Sequence, residues 1–386
     1  MHWILVVLAV FCVSTLLCGI IIPQILLIAF RKRLFDEPDE RKIHKVAIPR
    51  LGGMAFMPSL VFSLCLVSGI VLLTGESYPD LSSISVGAVL KSQTVESHAI
   101  PLCFGLCSIM LMYVVGLADD LIGVKYRAKF VAQILAGLLL AMGGVRLDSL
   151  HGMLGIGELP MVLSYMLTVL LVVFIVNAIN LIDGIDGLAS GLSGIAMAFY
   201  GFVLIAAGQW VYALIAFAGL GTLVPFFYYN VFGNAAKHKK IFMGDTGSLT
   251  TGIVLSFLAM EISNLPTVGV FQADVLVLAF APLAVPALDV VRVFVHRILR
   301  GNSPFLPDRC HIHHKLLALN IRQRVAMISI LGFSAGLVAL DMVLSPAVGP
   351  FMILVIDLII WVVANYLLTR TIRARQRRGE PSARYD

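Results

Sequence analysis

Apolar stretches of about 20 residues recur from one end of this 386-residue chain to the other. Nothing else in the sequence restricts the fold as strongly. Each stretch is long enough for a helix to cross a hydrocarbon core of ~30 Å. Eleven are read, at roughly 4–30, 52–74, 99–118, 128–145, 161–181, 187–207, 211–231, 246–263, 270–295, 325–345 and 350–369. With 59% of residues hydrophobic and 13% charged, a soluble domain is excluded. Lipid offers the backbone no hydrogen-bond partners and strand-like alternation is absent, which leaves helices as the spanning element. The expected fold is therefore all-α, a polytopic integral membrane protein with one domain over residues 1–370 and a basic tail over 371–386. The first stretch lacks a basic leader and a small-residue cleavage site, so it reads as a retained helix. No internal repeat of the transporter kind is apparent.

Lysine and arginine placement sets the expected orientation. With the N-terminus outside, the segments 31–50, 119–129, 232–245, 296–324 and 370–386 lie inside. Of the 28 lysines and arginines, only Lys91 and Arg146 then fall outside. An odd number of spans also puts the basic C-terminus in the cytoplasm. The net charge of +6 is thus mostly topology, with anionic headgroups a secondary partner for the tail. Nucleic-acid binding has no separate support. The six cysteines form no CxxC pair, and five lie in apolar spans, so they read as small buried apolar residues.

On this topology the acidic motifs all reach the inner face, where uncompensated acids beside a bilayer are costly. GLADDLIG carries Asp119 and Asp120, two adjacent acids that need a cation nearby. Lys125, Arg127, Lys129 or a metal could supply it. Read alone, the pair could also be a solvated helix end. NAINLIDGIDGL places Asn177, Asn180, Asp183 and Asp186 at intervals of three, one drifting polar stripe on a helix. Its amide and carboxylate oxygens suit a hard cation such as magnesium. FMGDTGS sets Asp245 before a helix start, with Thr246 and Ser248 as candidate caps; exposed N–H groups there attract phosphate. An ordinary capping aspartate is the plainer reading. PDRCHIHHK brings His311, His313 and His314 beside Arg309 and Lys315. Zinc would want a second ligand pair that is missing, so a phosphate clamp fits better. Lys45 and Arg50, before Gly52-Gly53, are plausible anion contacts. Asp289 and Arg292, three apart, could simply pair, and Asp357, placed near the middle of the last span, has no evident partner.

Taken together, LGG, the DD pair, NxxNxxDGxDGL, FMGDTGS and SPFxPDRxHIHH resemble the polyprenyl-phosphate N-acetylhexosamine-1-phosphate transferase family over most of the chain. The likeness is greatest to its bacterial undecaprenyl-phosphate N-acetylglucosamine branch. The histidine segment is the most specific part. The resemblance implies a phosphotransferase of the bacterial inner membrane with its active site facing the cytoplasm. Its partners would be a UDP-sugar donor and a polyprenyl phosphate acceptor, and a homodimer is implied by the family alone. The product, a lipid-linked pyrophosphoryl sugar, would initiate cell-surface polysaccharide such as O antigen. Asp245 and Asn180 would hold Mg2+, with Mn2+ as a substitute. Asp119 and Asp120 would sit by the acceptor phosphate. Lys45, Asp183, Asp186 and Phe242 would form the nucleotide pocket, Phe242 near uracil, with Asn177 also a substrate-binding residue. Arg309, His311, His313 and His314 would meet the pyrophosphate and amino sugar, with Asp183 and Asp186 counted with the catalytic set. An acceptor phosphate with a second pKa near ~6 is largely dianionic at neutral pH, so direct in-line attack is favoured over a covalent aspartyl intermediate. The competing readings are the same chemistry on UDP-N-acetylmuramoyl-pentapeptide and, from another class, a transporter.

Overall fold

The computed structural model describes residues 2–34, 48–73, 93–265, 272–301, 303 and 310–378. Lys45 and Arg309 lie outside them. The helices are α1 (His2–Lys32), α2 (Phe56–Leu73), α3 (Gln93–Ile122), α4 (Tyr126–Met142), α5 (Met161–Ile182), α6 (Leu188–Ala206) and α7 (Trp210–Phe227). They continue as α8 (Gly244–Ser263), α9 (Val275–Phe280), α10 (Ala284–Leu299), α11 (Ile312–Ala318), α12 (Gln323–Leu344) and α13 (Pro350–Arg377). Among the described residues the only bridge of β type joins Ser149 to Glu158.

Among the described residues, ten segments are long and apolar enough to span, with α9 and α10 together forming one of them. The eleventh expected span, α4, has 17 residues, about 26 Å at 1.5 Å per residue. It crosses nonetheless, because its neighbours fix its ends. The end of α3, the end of α5 and the start of α8 meet at one pole, where Lys129 bonds Asp119 and Asp245, and Asn180 bonds Asp245. The end of α8 lies at the other pole, where the Asn264 amide donates to the Arg146 carbonyl and the His151 ring meets the Ser263 carbonyl. The α4–α5 connector is therefore opposite the acids, and α4 runs the full length between them.

Burial is graded from centre to rim. Helix α8 is enclosed along nearly its whole length, whereas α1 and α13 turn most of their surface outward. Outward leucines and isoleucines, such as Leu5, Leu16 and Ile20 of α1, meet lipid rather than water. The cysteine expectation holds for Cys18 and Cys310; Cys12, Cys65, Cys103 and Cys107 are exposed on this rim. The ninth span is not one helix. Pro282 and Pro286 each lack an N–H, and the chain passes from α9 to α10 through a 3-10 turn at Ala281–Leu283. The basic tail is no separate unit at its start, since α13 continues to Arg377. Asp357 lies seven residues into α13, about 10 Å from its start. Its partner is Asp341 of α12, also buried.

Candidate active site

Asp245 opens α8 at the pole where three other helices converge. The close approach depends on missing side chains. A Cβ on Gly116 of α3 would lie 2.6 Å from Thr246 Cα, and one on Gly53 would lie 2.0 Å from Gly247 N. Backbone bonds pin the same corner: Gly52 N to Phe242 O, Gly53 N to Met243 O and Phe242 N to Pro49 O, each 2.9 Å. Thus LGG and FMGD, nearly 200 residues apart in sequence, form one interlocked turn.

The two acids of the DD pair do different things. Asp120 caps α8 from a neighbouring helix: its Oδ1 accepts from Asp245 N at 2.8 Å and its Oδ2 from Thr246 N at 2.8 Å and Thr246 Oγ1 at 2.5 Å. A carboxylate at a helix N-terminus is stabilised by the orphan N–H groups and the helix dipole. The sequence suggests Thr246 and Ser248 as caps; the structure has Asp120 supply the cap instead. Asp119 accepts from Val124 N at 2.6 Å and from Lys129 Nζ at 2.9 Å. Lys129 also reaches Asp245 Oδ2 at 2.7 Å, so of the three candidate cations Lys129 bridges the acids. Lys125 and Arg127 are exposed.

Asn180 donates both amide hydrogens, to Asp245 Oδ1 at 2.9 Å and Ser248 Oγ at 2.8 Å. Its carbonyl oxygen remains as a neutral ligand atom beside the Asp245 carboxylate. Asn177, one turn earlier, is used otherwise. It exchanges hydrogen bonds with the buried Gln133 of α4, at 2.7 and 3.3 Å, and is a helix–helix contact within the bundle. The stripe drifts off the site within one turn because 3.6 residues per turn and a spacing of three do not match.

The turn after α5 is the hub. Asp183 caps α5 with its side chain open to solvent. Crowding by surrounding protein, then the Asp245 and Asp186 carboxylates, raise its pKa against the pull of Arg50. Because water reaches this carboxylate, like charge is the dependable part of that rise. Asp186 pairs with Lys240 at 2.5 Å. Gly187 adopts φ +77° and its N–H donates to Asn230 Oδ1 at 2.6 Å, while Asn230 Nδ2 holds the Ile241 carbonyl. Asn230 sits in a π-helical turn at Tyr228–Phe232 and ties this hub to the FMGD segment. The sequence reading missed it, although an amide near the end of an apolar span was the available signal. Phe242 is half-buried beside Lys240, its backbone committed to the LGG turn.

The histidine segment closes on the same hub. A Cβ on Gly184 would come within 2.1 Å of His313 Nε2. His313 is 1% exposed, with neither ring nitrogen bonded. Burial, then the charge of His314, pushes its pKa down to about 3, so it stays neutral and acts as a wedge. It stacks on His311 with rings 5.8 Å apart and 8° from parallel, and lies 4.2 Å from the half-buried His314 ring. Lys315, expected in a phosphate clamp, turns away. It is buried and donates to Asn365 and Thr369 of α13 at 3.0 and 3.1 Å, and burial lowers its pKa to about 8. The pairing of Asp289 with Arg292 is present at 2.9 Å, but Asp289 also holds His311, which sequence spacing gave no means to see.

Gly184→Ala is a direct probe of this junction. The added methyl would drive His313 and its segment away from the acids, and turnover should fall by roughly tenfold or more while the helices remain packed. Steady-state kinetics on monodisperse protein in detergent checks this; an unchanged kcat would show that the histidine segment need not touch the hub.

One pole of the bundle thus carries a helix N-terminus, several carboxylates, a bridging lysine and a histidine segment on interlocked backbone, a combination suited to a metal-assisted phosphate reaction. The family model described as glycosyl transferase family 4 matches residues 102–263. A "probable undecaprenyl-phosphate N-acetylglucosaminyl 1-phosphate transferase" of Bacillus subtilis is 31% identical over 84% of this chain and 81% of its own length. The undecaprenyl-phosphate alpha-N-acetylglucosaminyl 1-phosphate transferases of Escherichia coli K12 and Yersinia pestis are each 28% identical, over 93% and 78% of this chain and 91% and 74% of their own. With relatives of this identity aligned along nearly its full length, the chain belongs to glycosyl transferase family 4, among the polyprenyl-phosphate N-acetylhexosamine-1-phosphate transferases.

Proposed function

We propose that the protein transfers N-acetylglucosamine-1-phosphate from UDP-N-acetylglucosamine to undecaprenyl phosphate. A terminal oxygen of the lipid phosphate attacks the β-phosphorus of the donor, and the bond from that phosphorus to the bridging oxygen breaks. UMP leaves with that oxygen, and a pyrophosphoryl-linked sugar stays in the membrane as the first lipid intermediate of a surface polysaccharide. The observation that carries this reading is the meeting of Asn180, Lys129 and Asp119 with Asp245 at the start of α8, in a chain whose relatives bear the transferase name.

The donor set fits magnesium. Among the described residues no three carboxylate, imidazole or thiol groups gather as a zinc-type cluster would. Mg2+ typically takes one or two protein oxygens and fills its shell with water and substrate phosphate; Asp245 and the Asn180 carbonyl would hold it. Bound there, it would supply charge neutralisation to the diphosphate. The chain's own residues do the rest. Lys129 balances the acids, Asp120 fixes the α8 start, and Asp119 is left to orient the acceptor and take a residual proton. Asp183, Asp186 and Phe242 line the side where the nucleotide would lie. The lysine and arginine asymmetry supports a cytoplasmic site in the bacterial inner membrane.

Purified protein in detergent with undecaprenyl phosphate and a panel of UDP-sugars tests this reading. UMP release is expected with UDP-N-acetylglucosamine and should require both the lipid and Mg2+. Release with UDP-N-acetylmuramoyl-pentapeptide in its place would move the protein to that substrate, and no release with any donor would end the proposal.

A further inference from the structure

Three imidazoles within four residues invite treatment as one cluster, but their surroundings separate them. His313 has both nitrogens sealed and unbonded and serves as the wedge against Gly184. His311 differs. Its Nδ1 lies 2.8 Å from Asp289 Oδ2, whereas its Nε2 has no hydrogen-bond partner among the described residues, and the side chain keeps 8% of its surface exposed. Asp289 is wholly buried on α10 and accepts from Ile312 N at 3.1 Å and Arg292 Nη2 at 2.9 Å. Arg292 also donates to the Cys310 carbonyl, which fixes the residue before the histidine. With two donors already on one carboxylate oxygen and none to spare on the group itself, the nitrogen facing the other oxygen must carry its hydrogen.

We infer that Asp289 is a positioning residue that holds His311 in its Nδ1–H form, which leaves Nε2 to exchange a proton with substrate. What Nε2 meets, an oxygen of the donor diphosphate, rests on the proposed transferase reading; the tautomer does not. The charged and titratable groups around His311 are Asp289 and Arg292 from α10, and His313, His314 and Lys315 from its own segment. Asp183 and Asp186 flank the Gly184 turn on which the segment rests. Among the described residues, only Asp289 touches the ring through a hydrogen bond. Its position dictates which nitrogen carries the hydrogen.

Diethyl pyrocarbonate acylates an imidazole nitrogen that carries no hydrogen, so the rate of His311 labelling at a fixed pH, mapped by peptide mass spectrometry, reads this arrangement without substrate. In Asp289→Asn the isosteric amide no longer holds the hydrogen on Nδ1 as a carboxylate does, and the labelling rate is expected to fall severalfold. The kcat is expected to fall on the order of 10²-fold with little change in KM for the donor, and the His311→Ala background should show no further loss. Asp289→Glu, which keeps the carboxylate, should retain the wild-type labelling rate. Should the Asn variant not fold, the Glu variant decides, since a rate changed there would break the link to the carboxylate. An Asn labelling rate equal to wild type, or full additivity with His311→Ala, would reduce Asp289 to packing. If wild type released no UMP, the transferase reading would fail while the labelling result stood.

Discussion

Asp245→Asn is expected to lower kcat by at least about 10³-fold, because this one carboxylate serves several partners at once. It accepts from Asn180 at 2.9 Å and from Lys129 at 2.7 Å. An asparagine can keep the first bond with its oxygen. Its amide then faces the Lys129 ammonium, donor against donor, and Lys129 is left to Asp119 alone. The lost charge also removes the strongest ligand the site offers a divalent cation. Fold should survive, since the cap on α8 comes from Asp120 and uses backbone N–H groups that the substitution leaves in place. The measurement is kcat across a magnesium series on protein that remains monodisperse. Wild-type turnover at low magnesium would show that Asp245 holds neither metal nor lysine for catalysis. Partial rescue at high magnesium, with kcat still depressed, is the expected pattern if both roles are real.

The division of labour between neighbouring acids marks the boundary of what the sequence alone discloses. Apolar run lengths reveal the spans, since crossing a bilayer is a requirement each segment meets by itself. Even α4, at 17 residues, was legible in this way. The motif positions at one pole followed from the same topology. What did not follow is which side chain serves which partner. Asp119 and Asp120 are adjacent and chemically identical, yet a helix turns each by 100°, so one faces Lys129 and the other the start of α8. Asn177 pairs with Gln133 because α4 happens to pack there, and Lys315 points to Asn365 because α13 returns beside α11. Asp341, overlooked as a lone acid in an apolar run, acquires meaning only when α12 and α13 bring it to Asp357. Each is a fact of helix packing between segments far apart in sequence, which local pattern does not encode.

Gly53→Ala is the second large effect expected, and it tests the packing rather than the chemistry. Helix propensity argues for alanine over glycine by about 1 kcal/mol, and φ at Gly53 is not positive, so neither strain nor propensity opposes the change. Space does. The new methyl would sit 2.0 Å from Gly247 N and 2.2 Å from Gly247 Cα, and 2.7 Å from the Thr246 carbonyl carbon. All three are backbone atoms at the start of α8, so no rotamer can give way. The LGG turn must retreat by more than an ångström, which breaks the bonds from Gly52 and Gly53 to Phe242 and Met243 and carries Asp245 off its partners. A destabilisation of about 3 kcal/mol or more follows from forced overpacking of this kind. The expected readout is a thermal midpoint in detergent lowered by many degrees, or no monodisperse protein at all. Gly69 of α2 supplies the internal comparison, because a Cβ there meets nothing within 4 Å, and Gly69→Ala should be neutral or slightly stabilising. If both substitutions left the midpoint unchanged, the close contact between LGG and FMGD could not be what seats Asp245 at the membrane boundary.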